Sequence, residues 1–197
     1  MNVGVLALQG DVPEHLAALA RLGSATYPRP VRDPDDLASV DALLLPGGES
    51  TTIARLLKES GLWDPLGERI DHGLPVLATC AGLIVLARHL ERSPSGPNPP
   101  TLGRLDVTVR RNDYGSQRES FEDGVRVDGL RGAPFPGVFI RAPRILKVGP
   151  AATAIARRGD EVVGVRGGSI WGLTFHPELS GDPRLHEMFL AEARGSL

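Results

Sequence analysis

A doubly wound, mostly parallel α/β sheet with helices on both faces is the fold this sequence predicts, on three observations. Short apolar runs at Val3 to Leu8, Ala42 to Leu45 and Pro75 to Thr79 have the continuous hydrophobicity of central parallel strands covered on both sides. Each run is followed by a helical pattern, and strand–helix units repeated within ninety residues close into a parallel sheet. The chain has 197 residues, 41% of them hydrophobic and 23% charged, which suits one domain spanning 1–197 with a proper core.

Taken in order, the first run ends at Gln9-Gly10-Asp11, and a helix is expected from about Val12 to Leu22. It carries Leu16, Leu19 and Ala20 on one face and has Gly23 as its stop. The second run ends at Pro46-Gly47-Gly48. Ser50 or Thr51 is then the expected cap of a helix through Leu57, closed by Gly61. The third run enters an apolar helix expected over Ala81 to Leu90. Ser93 to Pro100 holds four prolines and a glycine, so it reads as a surface loop within the domain. Beyond it, Leu105–Val109, Val125–Val127, Val138–Ile140, Ala152–Ala156, Val162–Val165 and Ile170–Phe175 read as strands, and Pro183 to Arg194 as a closing helix.

Composition excludes several classes. Acidic and basic residues nearly balance, leaving a formal charge of -2, so neither nucleic acid nor an anionic membrane is an expected partner. The N-terminus lacks a basic region before its short apolar run, unlike a signal peptide. No run approaches the ~20 apolar residues of a membrane span. A single cysteine allows no intrachain disulfide and favours a reducing compartment, and the expected location is cytoplasmic.

Chemistry concentrates in three segments. In Pro75 to Leu90 a buried strand runs straight into a helix with Cys80 at the junction, the layout of a nucleophile elbow. Ala78 and Gly82 are small enough for strand and helix to approach closely, and the Ala81 N–H is the natural oxyanion donor from this side. Against this stands the ordinary behaviour of a free cysteine as a small buried hydrophobe. Leu45 to Ser50 is a second strand-to-helix turn, where Gly48 offers another oxyanion donor. A Gly-Gly before a helix is more often simply a turn, and the absence of Lys-Ser/Thr excludes a phosphate loop.

The third segment, Gly172 to Glu178, ends an apolar run with His176-Pro177-Glu178. A cysteine nucleophile needs a base, and the base needs an acceptor that fixes its tautomer. In extended chain Glu178 would share a face with His176. His15, His72, His89 and His186 sit in or beside expected helices without such a companion and read as surface or helix-flank residues. One cysteine excludes a thiolate zinc cage, and neither a metal nor an organic cofactor is expected.

Together the Gly-Gly turn, the cysteine elbow and His-Pro-Glu, in this order, resemble the triad glutamine amidotransferases. Within that class, LALQGD, LPGGESTTIARLL, TCAGLI, RRNDYGSQRESFE, GVFIRAPRI and LTFHPEL are similar to the glutaminase subunits of pyridoxal 5′-phosphate synthase. The resemblance spans nearly the whole chain. It implies a flavodoxin-like sheet, Cys80 as nucleophile, His176 as general base and Glu178 as its orienting carboxylate. It implies that L-glutamine is held by Gly48, Glu49 and Ser50, by Arg111 before Asn112, and by Ile140 and Arg141. Without the resemblance, both arginines would read as surface salt bridges. The implied partner is the synthase barrel subunit, which takes up the ammonia. The sequence departs from the common Gly-x-Cys-x-Gly elbow at Ala78, tolerable if that residue lies in ordinary strand conformation. Rival readings are a peptidase-like cysteine hydrolase on the same sheet, a degenerate glutaminase kept as a binding subunit, and an amidotransferase of histidine or purine synthesis.

Overall fold

The apolar runs pair side by side, as strands without polar faces must. In a computed structural model describing residues 1–23, 25–92, 96–111 and 120–195, β1 (Asn2–Leu6), β3 (Ala42–Leu45) and β4 (Val76–Thr79) are parallel neighbours. Two further strands flank them in parallel, β2 (Tyr27–Val31) at the outer edge and β12 (Ile170–Leu173) beside β4. The parallel order β2-β1-β3-β4-β12 is the flavodoxin-like arrangement.

The sheet continues antiparallel through β11 (Glu161–Gly167), β10 (Thr153–Arg158), β7 (Phe121–Val127) and β8 (Phe135–Phe139), making nine strands. A separate three-stranded sheet joins β5 (Ala87–Leu90), β6 (Leu105–Arg110) and β9 (Arg144–Val148).

Alternation hidden in the apolar runs divides the core in two. Leu43, Leu45, Val76 and Ala78 face one side, with α3 (Ser50–Glu59), α4 (Trp63–Asp71) and α5 (Ala81–Leu86). Val3, Val5, Ala42, Leu44 and Leu77 face the other, with α1 (Val12–Ala20) and α6 (Arg184–Gly195). Helices therefore cover both faces, and among the described residues none is long and apolar enough to cross a membrane.

Several expectations need correction. The inward face of α1 carries His15 and Leu19, while Ala20 is exposed. The cap of α3 is Glu49, whose carboxylate accepts the N–H groups of Thr51 and Thr52 at 3.1 and 2.7 Å. The apolar helix after Cys80 stops at Leu86, because Ala87 to Leu90 leave it to pair with β6. A short apolar run fits either period, and tertiary pairing decides. Four elements lack a sequence signature strong enough to be expected: β2, β9, α4 and the short α2 (Pro34–Ala38). β2 carries Pro28 and Pro30, which argue against a strand except at a sheet edge, where this one lies. Ser93 to Ser95 of the proline-rich loop, and the stretch from Asn112 onward through residue 119, lie outside the described residues.

The elbow itself rests on close contact. A Cβ at Gly82 would meet the Leu45 carbonyl oxygen at 2.3 Å, so α5 packs directly on the end of β3. Ala78 lies in regular strand pairing between Leu45 and Gly172, which explains why a methyl group is tolerated there. Gly82→Ala is expected to lower the urea midpoint of unfolding, with a stability loss of about 1–3 kcal/mol from overpacking.

Candidate active site

The carboxyl ends of four parallel strands converge on one cavity. Residues beyond β1 (Gln9, Gly10, Asp11), β3 (Gly48, Glu49, Ser50), β4 (Cys80) and β12 (His176) line a space of about 320 Å³. Ile84, Arg111, Ile140 and Arg141 complete its wall. The position follows from topology: the strand order reverses between β1 and β3, and crevices in open α/β sheets form at such switch points.

Cys80 sits between β4 and α5 with φ 46° and ψ −101°, a conformation that L-residues rarely adopt and that costs about 1–3 kcal/mol. The surroundings hold it there. Its N–H donates to the Leu173 carbonyl at 2.8 Å, continuing the β12 ladder, and its own carbonyl accepts from Ile84 N–H at 3.3 Å. The side chain, 7% exposed, turns toward the cavity, with Sγ 4.0 Å from the Ile140 carbonyl oxygen. The Ala81 N–H belongs to the first turn of α5, where backbone donors have no intrahelical acceptor. With six residues instead of the ten expected, α5 contributes little dipole, so local N–H groups outweigh the helix as a whole.

His176 and Glu178 meet by a route other than extended chain. His176 N–H is fixed to the Val138 carbonyl at 2.8 Å, and Pro177 starts a 3-10 turn over Pro177–Leu179. The turn curls Glu178 back so that His176 Nδ1–H donates to its Oε1 at 2.8 Å. Asp11 Oδ2 lies 3.2 Å from the same nitrogen. With Nδ1 between two carboxylates, its proton is fixed there and Nε2 is the basic nitrogen. Nε2 is buried and has no hydrogen bond of good geometry among the described residues.

Burial pushes the His176 imidazole toward neutrality, but Asp11, Cys80 and Glu178 outweigh it and raise its pKa far above the usual 6.5. Burial raises the Glu178 carboxyl, against the opposing pull of His176. Asp11, His176 and Glu178 also each present a ligand-type atom within 4.8 Å of the others, the set among the described residues that a cation could use. Here both carboxylates are engaged with the imidazole.

The remaining residues form the opposite wall. Arg111 is buried, not a surface residue: its guanidinium donates to Glu49 Oε1 at 3.3 Å and to the Pro97 carbonyl at 3.1 Å. Partial burial pushes the Glu49 carboxyl up, but hydrogen bonds from Thr51 and Thr52 prevail and hold it below its usual range. Arg141 is exposed and has φ 43°, the second non-glycine residue in the left-handed region. The Gly47 carbonyl accepts the Asp11 N–H at 3.3 Å, which sets the orientation of the Gly47–Gly48 peptide. Gln9 Oε1 accepts the Glu49 N–H at 2.8 Å. Gln9 and Asp11 carry no motif that marks them in the sequence, although they follow the first strand where a switch point would place a ligand.

Two histidines read as surface residues are buried in the core: His15 is 0% exposed and His186 1%. Burial lowers the pKa of His15, and the charges of His186 and His176 lower it further. Burial lowers His186 to about 4. His72 and His89 are exposed, His89 on β5 just past the end of α5.

The chain matches the SNO glutamine amidotransferase family over residues 5–194. It is 50% identical to the pyridoxal 5′-phosphate synthase subunit PdxT of Streptomyces coelicolor, covering 98% of this chain and 94% of that one. It is 53% identical to the protein of the same name from Deinococcus radiodurans, covering 98% and 97%. A crystal structure of a glutamine amidotransferase superposes with a TM-score of 0.88 at 47% identity, covering 98% of each chain. A chain of PurLQS from Thermotoga maritima shares the fold, with a TM-score of 0.67 at 14% identity over 97% of each chain.

The buried His186 predicts acid sensitivity of the fold. Unfolded, it titrates near 6.5, and folded near 4, so between these values the unfolded chain binds the additional proton. Its contribution, at most about 3 kcal/mol, is complete above the unfolded value and lost as pH falls through the folded one. Thermal midpoints measured from pH 7 to 4 are expected to fall less steeply in His186→Phe than in the native chain.

Proposed function

The chain belongs to the SNO glutamine amidotransferase family, and from that membership we propose that it hydrolyses L-glutamine to L-glutamate and ammonia through Cys80, His176 and Glu178. The ammonia passes to a pyridoxal 5′-phosphate synthase subunit. The observation that carries the proposal is the convergence of the elbow cysteine and the carboxylate-held imidazole on one cavity.

In the proposed reaction the Cys80 thiolate attacks the side-chain amide carbon of glutamine. The carbonyl oxygen takes on negative charge, which the N–H groups of Ala81 and Gly48 stabilise; one such donor is worth about 3 kcal/mol of barrier. As the tetrahedral intermediate collapses, the carbon–nitrogen bond breaks and His176 gives its Nε2 proton to the departing ammonia. The resulting γ-glutamyl thioester is attacked by water, which loses a proton to His176, and glutamate leaves as the thiolate reforms. Glu178 keeps the Nδ1 proton in place throughout, so that only Nε2 exchanges protons. The raised proton affinity of His176, to which Asp11, Cys80 and Glu178 contribute, fits its role as the group that carries the proton given to ammonia.

Substrate recognition follows from the wall opposite. A free amino acid presents a carboxylate and an ammonium, which call for guanidinium or N–H donors and for a carboxylate or carbonyl. Arg111, Arg141 and the Gly48–Ser50 turn supply the donors, and Glu49 and the Ile140 carbonyl the acceptors. A peptidase-like reading lacks a use for this paired recognition of a single amino acid.

Ammonia released to bulk water at neutral pH would be largely protonated and no longer nucleophilic, which is the reason for direct transfer to a synthase. The relatives named as PdxT are named as subunits of pyridoxal 5′-phosphate synthase, which supports that partner; the partner proposed is a barrel subunit that joins ammonia with a pentose phosphate and a triose phosphate. Docking would adjust the Gly47–Gly48 peptide, which in this structure is tied to Asp11.

Glutamate release measured on Cys80→Ala is expected to be abolished; retained hydrolysis would overturn the mechanism. The native chain alone is expected to hydrolyse glutamine poorly, and adding a synthase subunit to raise the rate substantially. Equal rates with and without it would remove the partner from the proposal.

A further inference from the structure

Behind the candidate triad lies a second set of buried polar side chains that the proposed mechanism leaves unused. Glu178 gives Oε1 to His176, but its Oε2 is also buried and has no hydrogen bond of good geometry among the described residues. His15 Nε2 lies 3.4 Å from that oxygen and 3.3 Å from the hydroxyl of Thr79, the residue before Cys80. On its other side, His15 Nδ1 lies 3.5 Å from His186 Nε2. His15, Thr79 and the Glu178 side chain are each 0% exposed, and His186 is 1% exposed.

With Glu178 ionised and the Thr79 hydroxyl oxygen as an acceptor, one protonation pattern fits these distances. A buried carboxylate oxygen without a donor is costly, so the proton of neutral His15 belongs on Nε2, facing Glu178. Its Nδ1 then presents a lone pair and requires a donor, which His186 supplies from Nε2. The opposite tautomer would aim a nitrogen lone pair at a buried carboxylate oxygen. In this pattern the polarity runs one way, from α6 through α1 to the turn: His186 faces His15 as donor, His15 Nε2–H points to Thr79 and toward Glu178 Oε2, and Glu178 accepts on Oε1 from His176. The lowered proton affinities of both histidines agree with neutral rings.

We infer that His15 is a positioning residue for the glutaminase reaction, holding Glu178 by its second oxygen and thereby fixing the orientation of His176, with His186 setting the tautomer of His15. The inference rests on the proposed chemistry of Cys80, His176 and Glu178. It also explains why α1 turns a histidine inward where a leucine would fill the same apolar face.

The test compares three substitutions in the full chain, assayed for glutamine hydrolysis with a pyridoxal 5′-phosphate synthase subunit present. His15→Leu keeps apolar volume and removes the donor; His15→Gln keeps an N–H at similar reach; His15→Asn keeps an amide too short to reach Glu178. Loss of one hydrogen bond to a buried carboxylate predicts a fall in kcat of about tenfold to a hundredfold for His15→Leu, with KM for glutamine nearly unchanged. His15→Gln is expected to recover most of kcat, and His15→Asn to resemble His15→Leu. Thermal unfolding followed by circular dichroism shows whether each variant is folded at the assay temperature. A folded His15→Leu with native kcat, or a loss confined to KM, overturns the positioning role. If His15→Leu does not fold, equal kcat in His15→Gln and His15→Asn overturns it instead. Retained hydrolysis in Cys80→Ala would overturn the underlying chemistry and this inference with it, a result distinct from a fully active His15→Leu.

Discussion

The turn from β4 into α5 places Cys80 in a backbone conformation that no L-residue adopts freely, and the rest of the site depends on the contacts that hold it there. Three of these can be named. Gly82 lets α5 press against the carbonyl that ends β3, the Leu173 carbonyl receives the Cys80 N–H, and Ala78 keeps β4 in register between β3 and β12. Packing on both faces supplies the stabilisation that offsets the local strain, since burial of an aliphatic side chain contributes about 1.5–3 kcal/mol. A strained residue placed where the sheet is buried is therefore sustainable, and its side chain faces the cavity at the carboxyl ends of the strands.

Electrostatics forms a second layer on that scaffold. His176 Nδ1 is shared by Glu178 and Asp11, a pairing that favours the protonated ring despite burial. Glu178 in turn lies among His15, Thr79 and His176, where a bare carboxylate would be costly. Every buried polar group here lies close to another from a different element: the β4 end, the turn after β12, α1 and α6. Such a network specifies one arrangement of those elements more sharply than an apolar core would.

The antiparallel half of the sheet has a different task. It carries β8, whose end delivers Ile140 and Arg141 to the cavity, and it fixes His176 through the Val138 carbonyl. Arg111 arrives from the end of β6 in the smaller sheet and is held by Glu49, the cap of α3. The parallel half thus presents the candidate reacting groups, and the two additions close the wall that faces them.

The parallel core was legible because its strands are short apolar runs ended by Gly-Gly, by a cysteine elbow or by His-Pro-Glu, and these local signals survive in any context. Cys80, His176, Glu178 and Gly48 were legible for the same reason, and the resemblance of whole segments added Glu49, Ser50, Arg111, Ile140 and Arg141. Sequence did not reveal that Ala87 to Leu90 leave the helix for a strand, that two prolines lie on an edge strand, or that Glu49 caps α3, because in each case a distant partner or neighbouring backbone decides between two local possibilities. Nor did it reveal His15 and His186, which read as helix-flank residues by periodicity. Their roles depend on which carboxylate and which ring the fold brings against them across 163 and 171 residues of chain, and a pairing of that range has no signature in the local pattern.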